Sequence, residues 1–176
     1  MQTMAEAGNG IYQNAKHEFD YEPVIRTAMR DFGFPTQEAA ENAMDAFLQW
    51  FSLLPLVEAG KGYVMLNSTV DEIFHSFLLN TAFYRSFCQR TLGGFVDHNP
   101  LDQPKPEMPI HDYAVYTVRL LQEQFGSSLN PLLQDWVTQV TQGSYRISCL
   151  GECPSSAVAM KHTGMARTPS GAPIIG

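Results

Sequence analysis

The chain has 176 residues, 44% of them hydrophobic and 16% charged, a length and composition expected of one domain with a sizeable core and not of a disordered segment. Its 18 acidic residues outweigh 11 Lys and Arg, giving a net charge of −7. That balance argues against gripping phosphate backbones or an anionic bilayer, so neither nucleic acid nor a membrane is an expected partner.

Residues 1–16, with Gly8, Asn9 and Gly10 and little apolar content, are read as a flexible lead-in. A first helix is expected from about Tyr21 to Phe32, where Ile25, Ala28, Met29 and Phe32 fall at i, i+3, i+4 and i+7. Gly33 to Thr36 stops it, and Thr36 can cap the next. That second helix lines up Ala40, Ala43, Met44, Phe47, Leu48, Phe51 and Leu54, and Pro55 ends it. Glu58 to Leu66 reads as a loop with a short extended piece. Ser68 then caps a third helix, with Asp71 at the capping-box position. Asn80-Thr81 breaks the chain before a fourth helix that stops at Gly93-Gly94.

Asp97 to Pro109 holds four prolines and is read as irregular. A fifth helix is expected from Ile110 to about Gln124, and Asn130-Pro131 starts a sixth. The periodicity fades from Gly143 onward. The fold expected is therefore an all-α bundle of five to six helices over residues 17–142, with an irregular extension over 143–176. No apolar run reaches the roughly 20 residues that span a bilayer. No apolar segment follows the first basic residue, Lys16, so no secretory signal is read and a cytoplasmic location is expected.

The densest chemistry lies in VDEIFHSFLLNTAFYRSFCQRTLGGFVDHNP, Val70 to Pro100. At about 100° per residue, Asp71 and His75 stack one turn apart at the border of an apolar face. Cys88 lies about 220° from His75 on a continuous helix, so the two meet only if the chain turns near Asn80-Thr81. His98 follows the glycine break on a segment free to fold back. Two readings stay open. These residues form a metal site, with His75, His98 and Cys88 as ligands and Asp71 as ligand or orienting carboxylate. Alternatively, Asp71 is only a capping acid and Cys88 a buried small hydrophobe.

Asp71-x-x-Phe74-His75, then Thr81-x-x-Tyr84-x-x-Phe87-Cys88, then Gly94-Phe95-Val96-x-His98-x-Pro100, resembles the ordered signature of the glycine-rich-domain-protein-like family. The likeness covers roughly Ala40 to Trp136. Phe74 stands where the family has Trp, and Ser76-Phe77 where many relatives have a second histidine. The resemblance implies a functional polar site at Asp71, His75, Cys88 and His98 and implies no particular reaction.

Glu72-x-x-His75 is half of a di-iron motif, but no second copy exists in the chain. Cys149-x-x-x-Cys153, with His162 beyond, is half of a zinc site, a reversible disulfide or simply two free thiols. No Walker loop, dinucleotide fingerprint or nucleophile elbow is present, so no nucleotide cofactor is expected. Two functions compete: a metalloprotein using zinc or iron, enzymatic if it acts on a small-molecule substrate, and an interaction module for a protein partner, in which the polar cluster only locks helix packing. Residues beyond about Gly164, rich in glycine and proline, are expected to be mobile. Limited proteolysis should remove them and leave a resistant core; slow cleavage accompanied by unfolding would show that they are packed.

Overall fold

The computed structural model describes residues 4–66, 68–100 and 109–151. Among them are seven α-helices: α1 (Met4–Glu18), α2 (Glu22–Asp31), α3 (Gln37–Ser52), α4 (Thr69–Leu79), α5 (Thr81–Leu92), α6 (Ile110–Phe125) and α7 (Pro131–Gln142). Three short strands, β1 (Tyr63–Leu66), β2 (His98–Pro100) and β3 (Ile147–Gly151), form one antiparallel sheet in the order β1-β3-β2. No helix among the described residues is long and apolar enough to cross a membrane.

α3 is the central helix. The Thr36 hydroxyl accepts from the Ala39 backbone at 3.1 Å to start it, and every residue from Ala46 to Ser52 is buried. Phe47 and Phe51 on α3 join Phe74 and Phe77 on α4 and Phe87 on α5 in a continuous aromatic core, with ring centroids 4.8–5.9 Å apart. Each such pair adds about 0.5–1.5 kcal/mol beyond its buried area. The break expected at Asn80 is present. Its side chain donates to the Thr27 hydroxyl at 3.0 Å and to the Ser76 carbonyl at 2.9 Å, tying the α4–α5 turn to α2.

The lead-in is corrected, since residues 4–18 form α1. Its Tyr12 and Ala15 are buried, and the Tyr12 hydroxyl donates to Asp45 on α3 at 2.6 Å. Gly8, a poor helix former in isolation, allows the close approach: a Cβ there would lie 2.8 Å from Leu53 and 2.9 Å from Gln124.

The pure all-α expectation is corrected as well. The protein is mostly helical, but residues 98–100, expected to be irregular, and residues 147–151, in the expected extension, are strands. All four residues of β1 are buried, so it shows no alternation. β2 ends in Pro100, which only an edge strand tolerates. Residues 101–108 and 152–176, including Cys153, His162 and the expected mobile tail, lie outside the described residues.

The sheet seats one face on α3. Tyr63 and His98 both sit opposite Gly151, while Met65 and Pro100 sit opposite Cys149. Tyr63 stacks on Trp50 at 5.2 Å, and its hydroxyl donates to the Trp50 carbonyl at 3.0 Å. A Cβ on Gly151 would lie 2.7 Å from Leu54 and 2.8 Å from Trp50. Gly151→Ala should therefore cost about 1–3 kcal/mol by overpacking, read as a lower urea midpoint at unchanged slope. An unchanged midpoint would show that this face is not seated on α3.

Candidate metal centre

Three elements, α4, β2 and β3, carry the polar cluster. The Ser68 hydroxyl starts α4 by accepting from the Val70 backbone at 3.3 Å; it also accepts from the Trp136 indole at 3.3 Å and donates to the Leu66 carbonyl at 3.2 Å. This fixes the first turn of α4 to α7 and to the end of β1. Asp71 lies in that turn, where the helix dipole favours an acid. Its side chain is only 8% exposed. Its Oδ2 lies 3.7 Å from His75 Nδ1 one turn along, and its Oδ1 lies 3.8 Å from His98 Nε2 on β2. Neither distance is a hydrogen bond.

Asp71 Oδ1 and His98 Nε2 are both buried without a hydrogen-bond partner. Leaving one such group unpaired costs about 1–3 kcal/mol, so two of them facing each other ask for something between them. Cys149 supplies a third donor. On β3 it lies two residues from Gly151, the partner of His98, so register places His98 and Cys149 on the same sheet face as diagonal neighbours. One donor atom each from Asp71, His98 and Cys149 lies within 4.8 Å of the others. Phe74, fully buried on α4, meets the His98 ring edge-to-face at 5.0 Å and fixes its position.

Of the residues expected to form the site, Asp71, His75 and His98 come together and Cys88 does not join them. The Cys88 thiol is buried on α5, one turn from Tyr84, whose hydroxyl donates to the Val96 carbonyl at 2.7 Å. The chain does turn at Asn80, but that turn delivers Cys88 to the Tyr84–Val96 corner. His75 stands beside the three-donor set, its ring 4.7 Å from that of His98 and stacked on Phe32 at 6.2 Å. Its side chain is 37% exposed. Cys149 was visible in the sequence only through its spacing to Cys153. Nothing local ties it to Asp71, because the link runs through strand pairing.

The donor set is one nitrogen, one oxygen and one sulfur. Metal–ligand bonds of about 2.0–2.3 Å in a tetrahedral site put neighbouring ligand atoms roughly 3.3–3.8 Å apart. For an oxygen–nitrogen pair, with bonds of about 2.0–2.2 Å, the separation is roughly 3.3–3.6 Å, and the 3.8 Å between Asp71 Oδ1 and His98 Nε2 is slightly wider. A thiolate with an imidazole favours zinc or iron over magnesium or calcium. One carboxylate and one thiolate balance a divalent charge.

A family model described as UCP032817-like matches residues 13–108. The chain belongs to the UCP032817-like family. The span matched to that family contains Asp71, His75, Cys88 and His98 and ends before Cys149. No curated protein and no solved structure matches the chain.

Burial, and then the nearby Asp71 carboxylate, push the Cys149 thiol up from its ordinary range; burial is also the largest influence raising Cys88. A raised thiol holds less thiolate at neutral pH and reacts more slowly. In chelator-treated protein, iodoacetamide should label both cysteines at least about tenfold more slowly than in the urea-unfolded chain, as followed by peptide mass mapping. Rapid labelling of Cys149 in the folded protein would contradict its burial beside Asp71.

Proposed function

We propose that this protein is a metalloprotein that binds one divalent ion, zinc or iron, through Asp71, His98 and Cys149. The observation that carries this reading is the pair of buried, unpaired atoms, Asp71 Oδ1 and His98 Nε2, facing each other with a buried thiol beside them. A purely structural cluster would pair those atoms with protein donors and acceptors. A cation satisfies both at once and turns the buried thiol into a favoured thiolate. The ordered motif that resembles the glycine-rich-domain-protein-like family supports two of these ligands, Asp71 and His98, and belongs to this proposal. When bound, the ion supplies a Lewis acid; this chain's residues hold it, exclude water from one side through Phe74 and the sheet, and leave His75 at the other.

Elemental analysis of protein purified without added metal tests the reading. Near one equivalent of zinc or iron is expected in the wild type and in Cys88→Ser, and near zero in His98→Ala and Cys149→Ser. Added metal should raise the wild-type melting temperature, since saturation at a hundredfold excess over Kd is worth about 2.7 kcal/mol. A metal-free wild type indifferent to zinc, iron and chelator would overturn the proposal and favour the interaction module. Metal lost in Cys88→Ser but kept in Cys149→Ser would overturn the ligand set.

A further inference from the structure

Resting on that metal reading, the geometry points to an open centre: we infer that the ion keeps one coordination position facing solvent at His75. A small uncharged oxygen donor, water or a carbonyl group, binds there, and His75 hydrogen-bonds this ligand instead of binding the metal.

Three observations carry the inference. First, the compact donor set has three members, and His75 lies outside it although it is adjacent to two of them. Zinc sites with three protein ligands and a fourth exchangeable position are the arrangement that leaves a metal reactive, whereas structural sites close with four. Second, exposure around the cluster is one-sided. Cys149 is fully buried and the side chains of Asp71 and His98 are 8% and 13% exposed, against 37% for His75. A solute therefore reaches the ion past the His75 imidazole. Third, that imidazole is held in place without a metal. Phe32 lies nearly parallel to it, with an interplanar angle of 18°, and Asp71 Oδ2 sits near its Nδ1.

Charge selects the ligand. The Asp71 carboxylate and a Cys149 thiolate already balance a divalent ion, so a further buried anion gains little from net charge and meets two negative donors. A neutral carbonyl oxygen or water meets no such penalty, and the ion polarises it. The imidazole of His75 is then placed to hydrogen-bond whatever binds. Asp71 lies near both histidines, with Oδ1 toward His98 and Oδ2 3.7 Å from His75 Nδ1.

The test uses cobalt(II) as a coloured substitute in the full-length protein. Wild type loaded with one equivalent should show a thiolate-to-cobalt charge-transfer band that is absent in Cys149→Ser. Acetamide, a neutral ligand that binds through one carbonyl oxygen, should shift the visible cobalt bands saturably. His75→Ala and His75→Gln should keep one equivalent of cobalt and the charge-transfer band. His75→Ala should bind acetamide about tenfold more weakly, the loss of roughly one hydrogen bond. Cobalt loading with no response to acetamide, or loss of cobalt in both His75 variants, would show a closed four-ligand centre and overturn this inference alone. Should either variant fail to fold, the wild-type titration still decides whether the position is open. A wild type that takes up no cobalt overturns the metal reading and this inference with it.

Discussion

The backbone of Val64 is where the sheet is fastened to the helices. β1 is an edge strand, fully buried, and a buried edge must find partners for peptide groups that no strand satisfies. Here the Trp50 indole on α3 donates to the Val64 carbonyl at 2.9 Å, and the Thr117 hydroxyl on α6 accepts from the Val64 N–H at 2.9 Å. Two side chains thus replace a missing strand. With β1 fixed, β3 pairs to it and β2 to β3, and the positions of His98 and Cys149 follow from register. Asp71 reaches the same place by a separate route, through the Ser68 cap that Trp136 and Leu66 hold.

Asp71 is where local and global demands part. As a first-turn acid it suits the N-terminus of α4, and an exposed aspartate would serve that purpose at no desolvation cost. Its burial adds nothing to helix stability and leaves an oxygen unpaired. Natural sequences accept such conflicts chiefly where function requires them. The aromatic core around Phe47, Phe74 and Phe77 is tightly packed, and a rigid surround of this kind keeps Asp71 and His98 apart at 3.8 Å instead of letting them collapse together.

Most helices were legible because their apolar residues repeat at the helical period and their ends carry strong signals, such as Thr36, Ser68 and Asn130-Pro131. α1 was not, since its glycines and polar residues hide the face that carries the buried Tyr12 and Ala15. The strands were not, because β1 lacks alternation and β2 and β3 gain meaning only when paired. The same limit shaped the site. Asp71 and His75 share one helix face, so a helical wheel brings them together. His98 could be placed by a chain free to fold back, whereas choosing Cys149 over Cys88 required knowing that β3 lies between β1 and β2. Spacing along a chain reports neighbours on one element and is silent about strands paired across the whole domain.

The strand order has a consequence for how the protein comes into being. β3 is central in space and last in the described sequence, while its two edge partners come much earlier. On a ribosome the helical part can emerge and collapse first, since its contacts are local. Until residues 147–151 follow, β1 and β2 have no strand between them and Asp71 faces His98 without its sulfur neighbour. A chain interrupted before β3 therefore carries most of the core and an incomplete centre. Completion of the sheet and arrival of the thiol are a single event, so the protein cannot offer its full donor set before its fold is closed.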